Sequence, residues 1–442
     1  TYNSDFAQVE ADEQQVNLTR FSLFFPEKRE FFLENRDTFS FGGVGTGGDA
    51  PVLFYSRRIG LDAGRAAPIN MGGRLTGRLG PYSLGALHIQ TDKVAEAGVR
   101  TTDFSVVRLR RDVLNASTLG VMATRRSVGT AGAGSSLAYG MDGTFNFFND
   151  LYINAYWART ENERSAKRSD LSYRANLNFN SDRYGVQLER LRVGERFDPG
   201  IGFVRRPDIR RSLAELRFSP RPRSMPSIRR FVWVATVDYF ENGAGRVDTR
   251  DQSAEFATEF MNGDRIGVTY NDAYEFVPSP FRIAPGVTIP VGAYDWRFVR
   301  VAFNSRAQRR AAANVALEHG TFYGGHRTSL SVSRGRLALT PRFSVEPTYS
   351  LNAVDLPQGS FTAHLAGSRV IVTMSPRMFV SALAQYNSTS NVMTANVRLR
   401  WEYQPGSELF VVYNDERDTL SRGFPRMLTR SFVVKINRLF RF

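Results

Sequence analysis

The chain of 442 residues contains no cysteine, only four lysines and four histidines, and no long apolar run. Without cysteine, disulfides and thiolate metal sites are excluded. The densest apolar stretch, FVWVATV, is far shorter than the ~20 residues that a transmembrane helix requires. The sequence therefore predicts no helical membrane span.

Arginine supplies nearly all of the positive charge, and the formal net charge is +15. Such an excess is typical of proteins that bind nucleic acid. Here, however, the basic residues are spread along the whole chain and are not gathered with stacking aromatic residues. Nucleic acid is therefore not predicted as a partner.

Alternation of apolar and polar residues recurs from residue 50 onward. In LSYRANLNF, for example, Leu171, Tyr173 and Phe179 alternate with polar residues, and VRLRWEY follows the same pattern. Such segments are strands with one apolar face. Most of them run about 9 to 14 residues, whereas ~9–11 tilted residues cross a bilayer and soluble strands average about 5 or 6.

The connections alternate between long and short. Reading back from the C-terminus, a long NDERDTLSRGFPRM precedes the last strand, then a short QPGS, a longer NSTSN and a short SPR. This wiring is typical of outer-membrane β-barrels, and we count about 22 strands between residues 50 and 442, an even number as closure requires. The predicted fold is all-β: an antiparallel up-and-down transmembrane β-barrel over residues 50–442, surrounded by bacterial outer-membrane lipid, with its C-terminus in the periplasm. A soluble all-β protein is the alternative.

The ending SFVVKINRLFRF has apolar residues at alternate positions and stops on an aromatic. It resembles the C-terminal signal that the barrel assembly machinery reads, which makes that machinery a predicted partner. Arg438 departs from this pattern. The alternative is an ordinary edge strand. The predicted signal residues are Val434, Ile436, Phe440 and Phe442.

Charged residues in the strands stand opposite the apolar face, so we predict that they line the barrel lumen. They could form a ladder of arginine–carboxylate pairs that stiffens the wall, or an electropositive conduit that favours anionic solutes. The predicted lumen-lining residues are Arg108, Arg110, Arg174, Arg217, Arg342, Glu346, Arg398, Arg400 and Glu402.

The first 49 residues lack the one-sided pattern, and we predict that they form a plug and linker segment packed in the lumen. PEKREFFLEN predicts a short helix that opens at Pro26, and the glycine-rich GGVGTGGDA predicts a flexible joint. We expect Glu27 and Glu34 to face lumenal arginines and Arg29 to face an acid. The predicted plug contacts are Glu27, Lys28, Arg29, Glu30 and Glu34.

The stretches DFAQVEAD, NLTRF and FFPEKREFFLE resemble the domain of unknown function 5916 family. The resemblance implies an outer-membrane barrel that follows a family 9 carbohydrate-binding-like module in the same chain. Because the chain begins at Thr1 without an initiator Met or a signal segment, we expect it to be a piece of a longer protein. The resemblance implies no catalytic residues.

The favoured function is a plugged barrel that transports or docks a solute or polymer, with carbohydrate and anionic solutes as candidates. The alternative is a non-transporting anchor for the N-terminal module. The third candidate is an outer-membrane hydrolase, for which His319 and His326 lie near Glu318. We expect that the chain is not an enzyme, and we predict no catalytic residues, no cofactor and no metal site.

Overall fold

A computed structural model describes residues 2–4, 11–45, 48–62, 65–93, 100–128, 134–162, 170–420 and 425–438. Regular structure in these residues is β-strand, apart from one helical turn, α1 (Glu30–Leu33), and two 3-10 turns (Arg36–Phe39 and Ser56–Arg58). The predicted all-β class is confirmed. Among the described residues, no helix combines the length and the apolar character that a membrane span requires.

Contacts divide the chain into two compact units. Unit 1 comprises Thr1–Ala7, Phe21–Arg217 and Thr236–Arg250, and unit 2 comprises Gln8–Arg20, Phe218–Ala235 and Asp251–Phe442. The described residues 11–45 and 48–60, which precede the strands of each unit's sheet, are called the N-terminal segment below.

The strands that begin in unit 1 are β1 (Tyr2–Ser4), β2 (Leu61–Asp62), β3 (Arg65–Ala66), β4 (Ile69–Leu79), β5 (Tyr82–Thr91), β6 (Thr102–Val113), β7 (Ser117–Val128), β8 (Ser136–Phe147), β9 (Leu151–Asn162), β10 (Asp170–Asn180), β11 (Tyr184–Val193) and β12 (Ile209–Phe218). From β4 to β11, each strand pairs antiparallel with the next along the chain. Three strands contribute residues to both units: β12, β13 (Ile228–Asn242) and β14 (Val247–Phe260).

Unit 2 continues with β15 (Arg265–Val277), β16 (Phe281–Ala284), β17 (Val287–Ile289), β18 (Gly292–Asn304), β19 (Ala311–Phe322), β20 (Gly325–Thr340), β21 (Phe343–Leu356), β22 (Gly359–Ser375), β23 (Met378–Asn387), β24 (Val392–Gln404), β25 (Ser407–Asp418) and β26 (Arg426–Asn437). β15 pairs with β18, and from there each strand pairs antiparallel with the next as far as β26. The small hairpin β16–β17 lies in the connection between β15 and β18.

The start of the strands differs from the prediction. The first long strand begins at Ile69 and not near residue 50, because Leu53 and Ile59 are buried in the core of unit 1 and the stretch around them cannot expose one apolar face. Within the predicted plug, Tyr2–Ser4 instead forms β1, which pairs antiparallel with β4. In the described residues, 21 strands of at least ten residues lie between Ile69 and Asn437, against about 22 predicted from the sequence.

Each unit's sheet has two unlike faces. On one face, apolar side chains such as Val107 (51% exposed) and Val121 (52%) in unit 1, and Trp401 (44%) in unit 2, are open to the surroundings. The neighbouring residues along the same strands point to the opposite face, where the N-terminal segment packs. We call these the exposed face and the covered face.

A hydrophobic core lies on the covered face of unit 1. Phe32, Phe39 and Phe41 of the N-terminal segment pack there with strand residues such as Leu87 and Phe104. Burial of each such side chain contributes about 2 kcal/mol. In unit 2, the hairpin β16–β17 forms a second core, and Leu18 of the segment packs against it. The buried members of this second core are Val277, Ile283, Ala284, Val287, Ile289, Phe322, Tyr323, Val354 and Leu356.

Candidate functional site

The Glu27 carboxylate is the centre of a buried hydrogen-bonded knot in the N-terminal segment. Its Oε2 atom accepts hydrogen bonds from Arg29 Nη2 at 2.7 Å and from the Ser56 hydroxyl at 2.5 Å. The Arg29 guanidinium also donates to the carbonyls of Ser56 at 2.6 Å and Ile59 at 2.9 Å. The predicted partner of Glu27 was a strand arginine, but Arg29 is only two residues away and takes that place. Arg29 does face an acid, and the knot ties residues 27–29 to residues 56–59.

Glu27 stays ionised in this knot. Burial alone would raise the pKa of its carboxyl, but the hydrogen bonds and charge of Arg29, with the Ser56 hydroxyl, outweigh burial and hold this pKa below its usual value. The backbone N–H groups of Lys28 and Arg29 each donate to Glu27 Oε1 at 2.9 Å. These bonds hold residues 27–29 outside a helix, so α1 begins at Glu30 and not at Pro26.

Arg74 of β4 joins the end of α1 to the sheet. Its guanidinium donates to the carbonyl of Phe31, to the carbonyl of Glu34 at 2.7 Å, and to the Glu34 carboxylate. Glu34 therefore meets a strand arginine, as expected. Arg74 is not among the predicted lumen-lining residues, although its alternation with Leu75 in β4 indicates which face it occupies.

The first two glycines of the predicted flexible joint are tightly packed in a turn, and residues 46 and 47 of that joint lie outside the described residues. Gly42 and Gly43 have positive φ angles of 69° and 60°. A Cβ atom on Gly42 would lie 2.5 Å from a ring carbon of Tyr156, and one on Gly43 would lie 2.6 Å from the side chain of Asn154. Glycine is thus required here by a close approach to β9 as well as by backbone conformation.

Next to this turn lies a buried ion pair between two strands. Arg108, whose side chain is 1% exposed, donates to both carboxylate oxygens of Asp142, at 2.5 and 2.9 Å. The same carboxylate accepts the backbone N–H of Gly42 at 2.9 Å, and the Arg108 guanidinium lies 5.4 Å from the Phe41 ring. A bidentate pair of this kind is geometrically specific. It fixes the position of the segment on β6 and β8.

Two further predicted arginines touch the segment. Arg110 donates to the Asp37 carbonyl and the Ser40 hydroxyl, both at 3.3 Å. Arg174 pairs with Glu189, with 2.8 Å between Nε and the carboxylate, and also donates to the Gly42 carbonyl at 3.4 Å. Arginines of β6 and β10 thus hold backbone carbonyls of the segment in unit 1.

The connection between β11 and β12 closes over the segment. Val52 and Phe203 exchange backbone hydrogen bonds at 2.9 and 2.8 Å, and the Phe24 ring lies 5.3 Å from the Phe203 ring. Arg206 stacks 3.5 Å from the centre of the Phe21 ring and lies 3.2 Å from Asp49. No local sequence pattern indicates these contacts, because the residues lie in an irregular connection.

In unit 2 the segment continues along the covered face. Arg20 Nε donates to Glu275 at 2.6 Å, and the Tyr323 hydroxyl donates to the other oxygen of that carboxylate at 2.6 Å. Burial and then the charge and hydrogen bond of Glu275 raise the pKa of Tyr323. Glu13 lies 2.8 Å from Arg369, which is also 4.0 Å from the predicted lumenal residue Glu346.

The predicted lumenal residues of β24 contact side chains of β23 and β25 and the turn between β24 and β25. Arg398 and Arg400 lie against the Phe379 ring, and Arg400 Nε donates to Glu408 at 2.8 Å. Glu402 accepts the backbone N–H of Gly406 at 2.9 Å, so it shapes a turn.

Two predicted wall arginines lie at strand ends. Arg217 donates to Asn180 Oδ1 at 2.9 Å and to the Tyr184 carbonyl at 3.2 Å, and so ties down the turn between β10 and β11. Arg342 lies in the turn between β20 and β21 and not within a strand, because β20 runs to Thr340. Its assignment to a strand face was wrong.

Part of the predicted assembly signal lies in β26. Val434 and Ile436 are 54% and 68% exposed there. Phe440 and Phe442 lie outside the described residues.

Glu318, the acid predicted near His319 and His326, is paired with arginines. The Glu318 carboxylate is held by Arg300 at 2.6 Å and by Arg327 at 3.2 Å, so it is not free to orient a histidine. His319 Nδ1 lies 2.8 Å from the Thr328 hydroxyl. Among the described residues, no group of three or more His, Cys, Asp or Glu side chains is placed to hold a metal ion.

Comparison with known proteins gives one family. The sequence model of the family described as "Domain of unknown function (DUF5916)" matches residues 1–71, which confirms the family predicted from the motifs. No curated protein matches the chain.

Among solved structures, the chain is similar to the ferric yersiniabactin uptake receptor FyuA from Yersinia pestis. The identity is 11% and the TM-score 0.28, over 80% of this chain and 59% of that chain. The chain thus spans less than two thirds of the receptor's length.

Proposed function

Taking this chain as a member of the DUF5916 family through residues 1–71, we propose that it is a bacterial outer-membrane β-barrel. In this proposal the exposed faces contact lipid, the N-terminal segment plugs the lumen, and the C-terminus lies in the periplasm. The barrel transports or docks a solute or polymer. β1 supplies the additional strand that makes the total even, as closure requires.

One observation carries the proposal: the two faces of each sheet are opposite in chemistry along successive long strands. Leu75, Val107 and Val121 in unit 1 leave apolar surface open, as Val268 and Trp401 do in unit 2. An extended apolar surface of this kind marks a membrane or a protein partner. The strands have ten to 17 residues, enough to cross a bilayer.

The covered faces support the same proposal, because a polar interior is typical of such barrels. Arginines there pair with acids and hold the segment, as Arg74 does with Glu34 and Arg108 with Asp142. Of the two interpretations of the arginines, these pairs favour the structural ladder.

The alternative function is a non-transporting anchor for the carbohydrate-binding-like module that the family resemblance implies. The many contacts between segment and sheet favour it, since a segment held this firmly can seal a lumen. Conductance separates the two functions.

In planar bilayers, we expect Glu34→Arg to raise the conductance of the folded protein, because it places two positive charges together at Arg74. Adding Arg74→Glu should lower conductance again, although only in part, since glutamate cannot donate to the Phe31 and Glu34 carbonyls. Asp37→Arg is the matched control, because the Asp37 side chain is 95% exposed and lies near Arg36. If none of these variants conducts ions, transport is contradicted and the anchor remains as the function.

A further inference from the structure

A cleft of about 550 Å³ lies in unit 2 between the N-terminal segment and the covered face. Glu13 and Gln14 form its side on the segment, and strands β19 to β23 with the connection before β19 form the rest. This volume lies within the range of ~300–1,000 Å³ found for small-molecule sites. The lining combines apolar side chains with the hydroxyl-bearing residues Ser331, Ser333, Thr348 and Ser350.

The charges in this cleft do not balance. Arg369 lies near both carboxylates, 2.8 Å from Glu13 and 4.0 Å from Glu346. Arg334 and Arg336 also line the cleft, and no carboxylate in the described part of the chain forms an ion pair with either of them. Two guanidinium groups therefore remain available to an anion.

The backbone of β20 is distorted where these arginines lie. Pairing with β21 jumps from Val332 to Leu337, and pairing with β19 is shifted at the same place. Arg334 has a φ of +49°, which costs a residue with a side chain about 1–2 kcal/mol. Bulges of this kind commonly re-aim side chains beside functional sites.

An unpartnered acceptor also lies at the cleft. The side-chain oxygen of Gln14 is buried and has no hydrogen-bond partner among the described residues. The backbone N–H of Gln14 donates to Gln385 Oε1 at 2.8 Å, which fixes the residue in place. A buried acceptor left without a partner is costly, and a turn of the Gln14 side chain into the cleft would let a ligand hydroxyl satisfy it.

We propose that this cleft binds a small solute that carries both an oxyanion and hydroxyl groups. Arg334 and Arg336 bind the oxyanion, since guanidinium matches the geometry of such groups. Gln14 and the serine hydroxyls bind the hydroxyl groups of the solute. The inference deepens the proposed function, because it names a ligand class for the interior of the barrel.

Calorimetric titration of the full chain, folded in detergent, tests the proposal with three probes: glucuronate, glucose and inorganic phosphate. Glucuronate should bind more tightly than either of the others. Arg334→Gly, which also relieves the positive φ, and Arg336→Gln should each weaken glucuronate binding about tenfold or more. Arg342→Gln is the control, because it removes the same charge from a nearby turn outside the cleft, and it should leave affinity within about twofold.

Gln14→Ala should weaken glucuronate binding and leave phosphate binding unchanged. Equal affinity for glucose and glucuronate, or unchanged glucuronate affinity in Arg334→Gly and Arg336→Gln, would overturn the proposal. Equal affinity for phosphate and glucuronate would overturn the role given to the hydroxyls. Because binding is measured in detergent, its failure is distinguishable from a failure of membrane insertion or conductance.

Discussion

At the scale of single residues, an arginine–aspartate pair contributes more or less to stability depending on how deeply it is buried. Arg108 and Asp142 are almost fully buried, with exposed fractions of 1% and 8%, and their pair also holds Gly42. Arg297 and Asp272 form a pair of similar length, 2.8 Å, but the Arg297 side chain is 71% exposed. Solvent weakens the second pair, whereas the first has no water to replace a lost partner.

Asp142→Asn should therefore lower the free energy of unfolding by about 3–5 kcal/mol, because it leaves the buried Arg108 charge without its partner. Asp272→Asn, the control, should cost less than about 1 kcal/mol. Urea unfolding of the folded protein in lipid measures both. Equal losses for the two variants would show that the buried pair has no special role.

The lowered pKa of Glu27 predicts that the stability of the N-terminal segment depends on pH. Its folded pKa is lowered, so the stabilisation it provides is complete above its ordinary value of 4.5 and is lost as the pH falls through the lower folded pKa. Hydrogen exchange of residues 24–34 should therefore accelerate between neutral pH and pH values below 4.5, after correction for the intrinsic rate. In Glu27→Gln this extra acceleration should be absent, and its persistence would assign the effect to another group.

At the scale of elements, alternation predicted strands well where one face is open and the other covered. LSYRANLNF lies in β10 and VRLRWEY in β24. The stretch from residue 50 to 68 escaped prediction because Leu53 and Ile59 are buried by packing between distant parts of unit 1. The partner of Glu27 and the distortion at Arg334 likewise depend on tertiary contacts that no local pattern encodes.

The glycine turn shows the same dependence on packing and can be tested directly. Gly42→Ala should detach residues 41–43 from β9, because the residue needs a positive φ and the added methyl would collide with Tyr156. The expected cost is about 1–2 kcal/mol or more. Gly45→Ala is the matched control, since no atom lies within 4 Å of the added group. Limited proteolysis of the segment should distinguish the two variants, and equal resistance would contradict the tight packing.

At the scale of the whole molecule, each unit combines two properties. The exposed faces present apolar side chains on strand after strand, and the covered faces present paired charges to the N-terminal segment. The sequence predicted the first property from alternation and the general position of the second from its charges. It could not identify which residues pair, because side-chain partners across a sheet depend on strand register.

Contact between the exposed faces and lipid can be measured on β24. Because the chain has no cysteine, single cysteines can carry spin labels at Met393, Val397 and Trp401 on the exposed face and at Thr394 and Arg398 on the covered face. In protein reconstituted into bilayers, labels at 393, 397 and 401 should collide with oxygen dissolved in lipid, and labels at 394 and 398 with an aqueous nickel chelate. Equal access of the nickel chelate to all five positions would contradict a membrane-embedded barrel.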